Sequence, residues 1–203
     1  MTTTFFLVRH AAHDRLGRVL CGRMPGVTLG GEGRAQAAAV AQRLSGEGLT
    51  GLYASPLERA QETAVPLADR TGLRLETLPA LNEIDFGDWA GRDFDALHGD
   101  PVWNGWNRAR HVTRPPGGET ALEAQARALR GLEDLRRRHG EARLALVSHA
   151  DVIKLLIAHA LGLGADAMHR FEVGPASVSV LVVGDWGAKV EGLNERAFLK
   201  DPA

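Results

Sequence analysis

Two short apolar runs of this chain each end in a histidine, and no other feature constrains the fold as strongly. FFLVRH ends at His10 and LALVSH ends at His149. Apolar runs of this length are typical of buried strands, whereas the longer segments between them carry the periodicity of helices. Such alternation predicts a layered α/β protein. We therefore expect a three-layer α/β/α sandwich around a mostly parallel sheet.

The same pattern predicts the remaining elements. We expect a strand over residues 49–54, a hairpin built from 177–183 and 188–193, and helices over 28–45, 55–70, 119–138 and 151–161. Ser55 and Glu58 have the spacing of a capping box, so Ser55 is the expected N-cap of its helix. Leu122 is expected to face the core, and His159 is expected to be a structural residue of the last helix.

No linker or repeat divides the chain, so we expect one domain over residues 1–203, with an excursion at about 81–116 that covers the active face. Three of the four tryptophans lie in this excursion, at positions 89, 103 and 106. Trp103 and Trp106 could line a substrate pocket or simply pack the excursion. Its expected position over the active face favours the pocket.

Charge, cysteine content and hydropathy exclude several classes of protein. The chain has 24 Lys+Arg and 25 Asp+Glu, so no basic excess points to nucleic acid or to an anionic membrane. Cys21 is the only cysteine, which excludes an internal disulfide. No apolar run approaches the ~20 residues of a membrane span, and MTTTFFLVRH lacks the basic region of a signal peptide. We expect a cytoplasmic protein without nucleic-acid or membrane partners; its oligomeric state stays open, with a homodimer as one option.

The polar residues at the strand ends suggest a phosphate pocket. Side chains just past the carboxyl ends of strands line the ligand crevice of an open α/β sheet, which brings His10 and His149 together. Arg9 precedes His10, and Arg59 lies near a helix start, where free backbone N–H groups also favour an anion. The planar guanidinium group suits phosphate geometry.

Five segments in order, FFLVRH, SPLERAQETA, LNEIDFGDWAG, PPGGET and LVSHA, resemble the histidine phosphatase superfamily, whose members are phosphoglycerate-mutase-like. The resemblance runs from Phe5 to about Leu193. It implies a phosphoglycerate-mutase-like fold and a phosphoryl-transfer activity that needs neither a metal nor a bound cofactor. No spacing of histidine, cysteine or carboxylate residues typical of a metal site is present either.

The resemblance also implies roles for individual residues. His10 is similar to the nucleophile that accepts the phosphoryl group on a ring nitrogen. Arg9, Arg59 and His149 are similar to the set that binds the phosphoryl oxygens. Glu83 is similar to the acid that protonates the leaving oxygen and then activates water.

The chain departs from the family where the substrate is expected. Ala11, Ala12 and His13 follow the nucleophile, whereas the family usually has Gly, Glu and then Ser or Thr. His13 and Arg18 could face the pocket in compensation. Gly22 and Arg23 occupy the stretch in which family members place a substrate-contacting turn. The expected substrate-binding residues are therefore Arg9, Arg59, His149, His13, Gly22 and Arg23.

We expect a metal-independent phosphomonoester hydrolase that acts on a small phosphorylated metabolite through a phosphohistidine at His10. The alternative is a cofactor-dependent phosphoglycerate mutase, although such mutases are generally longer and have Gly-Asn where this chain has Ala150 and Asp151. A third possibility is a non-catalytic protein that binds a phosphorylated ligand, which Ala11 and Ala12 motivate. The substrate stays open among sugar phosphates, phosphoglycerates, nucleotide-derived monoesters and ribazole phosphate.

Overall fold

A six-stranded sheet forms the centre of the computed structural model, which describes residues 1–196. In chain order the strands are β1 (Thr2–Arg9), β2 (Gly51–Ala54), β3 (Leu75–Thr77), β4 (Ala142–Ser148), β5 (Val178–Gly184) and β6 (Gly187–Glu195). Their order across the sheet is β3-β2-β4-β1-β5-β6. The first four are mutually parallel, whereas β5 and β6 add an antiparallel hairpin at one edge. The expected mostly parallel sheet is confirmed. Residues 197–203 of the predicted domain lie outside the described part of the chain.

Helices cover both faces of the sheet. The α-helices are α1 (Gly31–Leu44), α2 (Glu58–Thr71), α3 (Phe94–His98), α4 (Pro101–Arg108), α5 (Ala121–His139) and α6 (Ala150–Ala160). Alternate residues of β1 point to opposite faces. Phe6 and Val8 pack with α1 and α2, whereas Phe5 and Leu7 pack with α5 and α6. Full burial of each such side chain contributes about 2 kcal/mol, so the three-layer arrangement follows from the alternation. No helix within residues 1–196 is long and apolar enough to cross a membrane.

The excursion between β3 and α5 has its own apolar core. Trp89 packs edge-on against Trp103 and Trp106, with ring centroids 5.3 and 6.4 Å apart. Trp103 and Trp106 are both buried in this cluster together with Phe86 and Leu97. They therefore pack the excursion and do not line the pocket described below, so the expectation that favoured a pocket wall is wrong.

Three local expectations are also wrong. Helix α2 begins at Glu58 with Leu57 as its N-cap, and the hydroxyl of Ser55 does not cap it. Leu122 is exposed, because α5 begins only at Ala121 and its first turn faces solvent on that side. His159 is exposed near the end of α6 and is not part of the core. The predicted closing hairpin is confirmed. Helix α2 ends at Thr71, within one residue of the predicted end, with Gly72 as its C-cap at φ +70.

Candidate active site

A cavity of about 350 Å³ lies at the carboxyl end of β1 and brings together most of the predicted site residues. It is lined, among others, by Arg9, His10, His13, Gly22, Arg59 and Glu83. Its position agrees with the rule that ligands bind beyond the carboxyl ends of strands in an open α/β sheet. Of the predicted residues, His149 and Arg23 are not among those that line it.

The pairing of β1 with β4 sets the distance between the two histidines. Arg9 is in register with Ser148, and the backbone N–H of His10 donates to the carbonyl of Ser148 at 2.9 Å. The rings of His10 and His149 consequently lie close together, with centroids 5.2 Å apart. Two side chains that are distant in sequence are thus fixed by the central ladder of the sheet.

His10 is held as a neutral imidazole with one free ring nitrogen. Its Nδ1 lies 2.9 Å from the carbonyl oxygen of Ala11, and because a carbonyl only accepts, Nδ1 must carry the proton. The lone pair is then on Nε2. Burial, followed by the positive charges of Arg59 and Arg9, holds the pKa of His10 well below its usual value. The ring is therefore neutral at neutral pH and its Nε2 carries a free lone pair, as a nitrogen nucleophile requires.

His149 lies behind Arg59 and not on the cavity surface. Its Nδ1 is 3.2 Å from Nη2 of Arg59 and accepts from it, since a guanidinium can only donate. The proton is on Nε2, which donates to the hydroxyl of Ser55 at 2.7 Å. Burial and the charge of Arg59 hold the pKa of His149 well below its usual value. His149 therefore orients Arg59, and Ser55 orients His149.

The two arginines of the pocket carry unused donors. Arg59 is 2% exposed, and its Nη2 reaches the carbonyl of Gly22 at 2.7 Å as well as His149, but its Nε and Nη1 are buried without a partner in residues 1–196. Arg9 donates from Nη1 to the carbonyl of Val173 at 2.7 Å, while its buried Nε is also unpartnered there. Buried charged donors are costly unless they are paired. This arrangement suits an anion that completes the site.

Glu83 supplies a carboxyl group with a raised pKa beside these cations. Burial is the main cause and the negative charge of Asp151 is the second, and together they raise the pKa of Glu83 to about 7. The hydrogen bond from the backbone N–H of Ile84 and the charges of Arg59 and Arg9 act in the opposite direction. A carboxyl group with this pKa can both donate and accept a proton near neutrality.

A network of charged residues holds the backbone of Glu83 from behind. The carbonyl of Glu83 accepts from Nε of Arg23 at 2.8 Å and from Nη2 of Arg127 at 2.9 Å. Glu119 joins both arginines, at 2.7 Å in each case, and Asp85 lies 3.2 Å from Nη1 of Arg23. Arg23 is thus engaged outside the cavity, contrary to the expectation that it binds substrate.

The loop after β1 places one predicted residue in the cavity and another outside it. The ring of His13 stacks on that of His10, with centroids 5.4 Å apart, and its buried Nδ1 has no partner within the described residues. Burial, then Arg59 and Arg9, lowers the pKa of His13 to about 4. Arg18 does not line the cavity and donates instead to the carbonyl of Asp14. The expectation that Arg18 faces the pocket is wrong.

Several lining residues escaped the analysis of the sequence. Asp151 contributes a second carboxylate to the cavity, and an apolar wall is formed by Leu16, Val19, Leu20, Phe86 and Phe94. The signal for Asp151 was its position two residues after His149, in the first turn of α6. Phe86 and Phe94 lie in the excursion, whose path over the sheet has no sequence signature. Within residues 1–196, no three His, Cys, Asp or Glu side chains group as metal ligands.

A family comparison agrees with this geometry. The model of the histidine phosphatase superfamily, branch 1, matches residues 5–196. The chain belongs to this superfamily. The resemblance read from the five segments is thereby confirmed, and so is the phosphoglycerate-mutase-like α/β fold.

Individual relatives carry phosphatase and mutase names. An adenosylcobalamin/alpha-ribazole phosphatase of Escherichia coli is 32% identical over 197 residues, covering 95% of this chain and 96% of that protein. A probable phosphoglycerate mutase of Yersinia pestis is 31% identical over 177 residues, covering 83% and 81%. The solved structure of a mycobacterial glucosyl-3-phosphoglycerate phosphatase has a TM-score of 0.86 at 25% identity, covering 96% of this chain and 100% of that one. The superfamily and these relatives indicate a phosphatase or a mutase.

Proposed function

We propose that this protein is a metal-independent phosphomonoester hydrolase that acts on a small phosphorylated metabolite through a phosphohistidine at His10. The observation that carries the proposal is the buried guanidinium of Arg59, whose Nε and Nη1 have no partner within residues 1–196, in the cavity that His10 also lines with an unprotonated Nε2. A phosphoryl dianion seated between Arg9 and Arg59 gains charge-assisted hydrogen bonds that no described residue supplies. Its phosphorus then faces the nucleophile.

The first half-reaction transfers the phosphoryl group. The lone pair on Nε2 of His10 forms a bond to phosphorus while the bond from phosphorus to the ester oxygen breaks. Glu83, in its neutral form, gives its proton to the departing oxygen, so the product leaves as an alcohol. Arg9 and Arg59 stabilise the charge on the three equatorial oxygens.

The second half-reaction returns the enzyme to its starting state. The carboxylate of Glu83 takes a proton from water as the water oxygen attacks phosphorus. The bond between phosphorus and Nε2 breaks, its electron pair returns to His10, and inorganic phosphate leaves. The pKa of about 7 for Glu83 suits both directions of proton transfer.

Phosphate release from small phosphomonoesters in the presence of a metal chelator tests this proposal. We expect His10→Ala to lose on the order of 10³-fold or more in kcat/KM, while His98→Ala, at an exposed histidine of α3, keeps wild-type activity. Rapid acid quench of the wild type should trap a phosphoprotein that His10→Ala does not form. Anion binding without phosphoprotein or phosphate release would instead support a non-catalytic binding protein.

A phosphoglycerate mutase is the second candidate, because one relative carries that name. A mutase must protect its phosphohistidine from water and return the phosphoryl group to a second hydroxyl. Incubation with 3-phosphoglycerate separates the two activities. Release of inorganic phosphate without 2-phosphoglycerate supports the hydrolase, whereas isomerisation much faster than phosphate release supports the mutase.

A further inference from the structure

We infer that the alcohol of the natural substrate is uncharged and presents an apolar or aromatic face, and that Asp151 excludes esters whose alcohol carries a carboxylate or a second phosphate. This inference rests on the proposed function, because it concerns the part of the phosphomonoester that leaves His10. Three features of the cavity carry it: its supply of cations, its second carboxylate and its apolar wall.

The cavity has cations for one phosphoryl group and none for a second anion. Arg9 and Arg59 are the only arginine or lysine residues that line it in the described part of the chain. Both line the cavity together with His10, where the reacting phosphoryl group must lie, and both have donors that are unpartnered among the described residues. Arg15, on the nearby loop, is exposed and outside the lining, and Arg23 is engaged by Glu119 and its neighbours. A substrate carboxylate would therefore be desolvated without compensation.

The cavity also contains a charge that repels a second anion. Asp151 lines it beside Glu83. The nearest arginine to Asp151 is Arg110, whose Nη1 lies 3.9 Å from Oδ2, too far for a hydrogen bond. Arg110 therefore lies within ion-pair distance of Asp151 but does not occupy its carboxylate oxygens with a hydrogen bond. In a partly desolvated cavity, a like charge on the lining opposes binding of an anionic alcohol more strongly than it does in water.

The remaining wall is apolar and contains two aromatic rings. Its members are Leu16, Val19 and Leu20 from the loop after β1, with Phe86 and Phe94 from the excursion. When a substrate ring or alkyl group contacts such a wall, apolar area is buried and binding of that substrate is favoured. A small or strongly hydrated alcohol gains nothing from this surface.

Backbone hydrogen bonds preform the apolar wall. The N–H of Leu20 donates to the carbonyl of Arg92 at 2.9 Å, and the N–H of Gly91 donates back to the carbonyl of Leu20 at 2.8 Å. The N–H of Phe94 donates to the carbonyl of Arg18 at 3.0 Å. The loop after β1 and the excursion are thus joined as a short antiparallel ladder. The wall needs no ordering when substrate binds, so its contacts contribute fully to affinity.

Three phosphomonoesters whose leaving alcohols have similar basicity test the inference: benzyl phosphate, 4-carboxybenzyl phosphate and methyl phosphate. We expect kcat/KM for benzyl phosphate to exceed that for each of the other two by at least about tenfold. A 4-carboxybenzyl phosphate that reacts as fast as benzyl phosphate, or faster, overturns the exclusion of anions. Equal values for methyl and benzyl phosphate overturn the role of the apolar wall.

Two variants assign these preferences to residues. Asp151→Asn should reduce the ratio of benzyl to 4-carboxybenzyl phosphate at least about fivefold, whereas Asp95→Asn, which removes the same charge at an exposed position outside the lining, should leave it unchanged. Phe94→Ala should reduce the ratio of benzyl to methyl phosphate. Because each readout is a ratio measured on one preparation, the folded fraction cancels. Ratios that do not change in Asp151→Asn overturn the role of this residue.

The same assays separate the inference from the proposed function. If all three esters release phosphate in a reaction that depends on His10, and their kcat/KM values are similar, the proposed hydrolase stands and the substrate class is overturned. Absence of release from all three, in a wild type that is folded, contradicts the hydrolase and the substrate class together.

Discussion

Arg59 lines the cavity together with Glu83, whereas Arg127 binds the backbone carbonyl of Glu83, and the hydrogen bonds of the two guanidinium groups are satisfied to very different extents. Arg127 uses every guanidinium nitrogen: Nη1 donates to the carbonyl of Ala80 at 2.8 Å, Nη2 donates to Glu83 and Glu119, and Nε donates to Glu119 at 3.2 Å. Arg59 is more deeply buried, yet two of its three nitrogens have no partner in the described residues.

The difference indicates which arginine serves the fold and which serves a ligand. A buried charge with complete hydrogen bonding is held in place by the structure and, in turn, holds its partners. A buried charge with free donors weakens the fold unless something outside the chain completes it. By this argument Arg127 fixes the backbone of Glu83, whereas Arg59 has donors available for the phosphoryl group of the proposed substrate. Substitutions at Arg59, Arg127, Glu83 and Ser55, each with a control variant, test this difference.

Replacement of Arg59 has the largest expected effect. Arg59→Met should lower kcat/KM for phosphate release by about 10³-fold, because it removes the donors aimed at the transferring group. Its free energy of unfolding should change by less than about 2 kcal/mol, because removing a buried charge with two free donors offsets the loss of its hydrogen bonds to Gly22 and His149. Inorganic phosphate at 100 times its Kd should stabilise the wild type by about 2.7 kcal/mol and the variant by much less. Steady-state kinetics and chemical denaturation measure both quantities.

Arg59→Lys is the matched control for that experiment, because it keeps the charge but not the planar donor set. It should retain phosphate-dependent stabilisation while losing much of the activity. A fall of more than about 2 kcal/mol in the unfolding free energy of Arg59→Met would place Arg59 with Arg127 as a structural residue and remove the contrast.

Replacement of Arg127 should act first on stability. Arg127→Met removes the side-chain partner of the Ala80 carbonyl and leaves Glu119 and the carbonyl of Glu83 with Arg23 as their only arginine partner in the described residues, so we expect a loss of about 3 kcal/mol in the free energy of unfolding. In the folded fraction kcat should fall more than KM changes, because Glu83 is displaced while Arg9 and Arg59 remain. Arg137→Met, at an exposed position of α5, is the control and should change neither quantity. Full activity with full stability in Arg127→Met would contradict its assigned role.

The pH dependence of kcat/KM tests the proton transfer that is assigned to Glu83. With a pKa of about 7, Glu83 is increasingly ionised above neutrality. The first proton transfer needs the neutral form, so kcat/KM should fall above about pH 7 and approach a tenfold loss per pH unit. Glu83→Gln should be much slower and should lack this descending limb. If kcat/KM of Glu83→Gln still falls over the same pH range, the fall must arise from another group of the protein or from the substrate.

The same group links pH to stability. Because the pKa of Glu83 is raised on folding from 4.5 to about 7, its contribution favours the folded state fully below the unfolded value and is lost as pH rises through about 7. The lowered pKa values of His10, His13 and His149 act in the opposite direction and raise the unfolding free energy as pH increases from 5 to 8. The change in unfolding free energy between pH 5 and pH 8 should therefore be about 2 kcal/mol more positive in Glu83→Gln than in the wild type. Glu141→Gln, at an exposed carboxylate, should keep the wild-type dependence.

The hydroxyl of Ser55 should have the smallest of these effects. Ser55→Ala removes the acceptor for Nε2–H of His149, at a cost of about 1–2 kcal/mol in unfolding free energy, and it should lower kcat/KM about tenfold by releasing Arg59. Ser177→Ala is a matched control, because Ser177 is also fully buried but its hydroxyl has no partner within residues 1–196. That variant should cost nothing or stabilise. Wild-type activity in Ser55→Ala would show that the orientation of His149 by Ser55 does not affect the function of Arg59.

The residues at the strand ends could be predicted from the sequence because one physical rule places them. Parallel strands deliver their carboxyl ends to one edge of the sheet, so His10 and Arg9 had to meet the residues that follow β2 and β4. The resemblance to the superfamily added Glu83, whose segment has no regular periodicity. The layered fold followed from the apolar runs alone.

The remaining errors arise where tertiary contacts compete with local rules. Ser55 has the spacing of a helix cap, but its hydroxyl is more strongly satisfied by the buried ring of His149 at 2.7 Å. Arg23 has the position of a substrate contact, but the carbonyl of Glu83 and two carboxylates engage it. Trp103 and Trp106 fill a core between the excursion and the ends of α5 and α6, a space that is defined only once the chain is folded.

The register of β1 against β4 also determines how freely this protein can diversify. The separation of the backbone positions that carry the two histidines is set by the ladder that pairs Arg9 with Ser148. The segments that carry the apolar wall, residues 16–20 and the stretch around Phe94, can therefore be exchanged or lengthened to admit another alcohol while His10 and His149 keep their separation. Deletion of a single residue within β1 has the opposite consequence, because it turns His10 to the other face of the sheet. The segments of the apolar wall can therefore vary in sequence and length, whereas the pairing of β1 with β4 must be preserved.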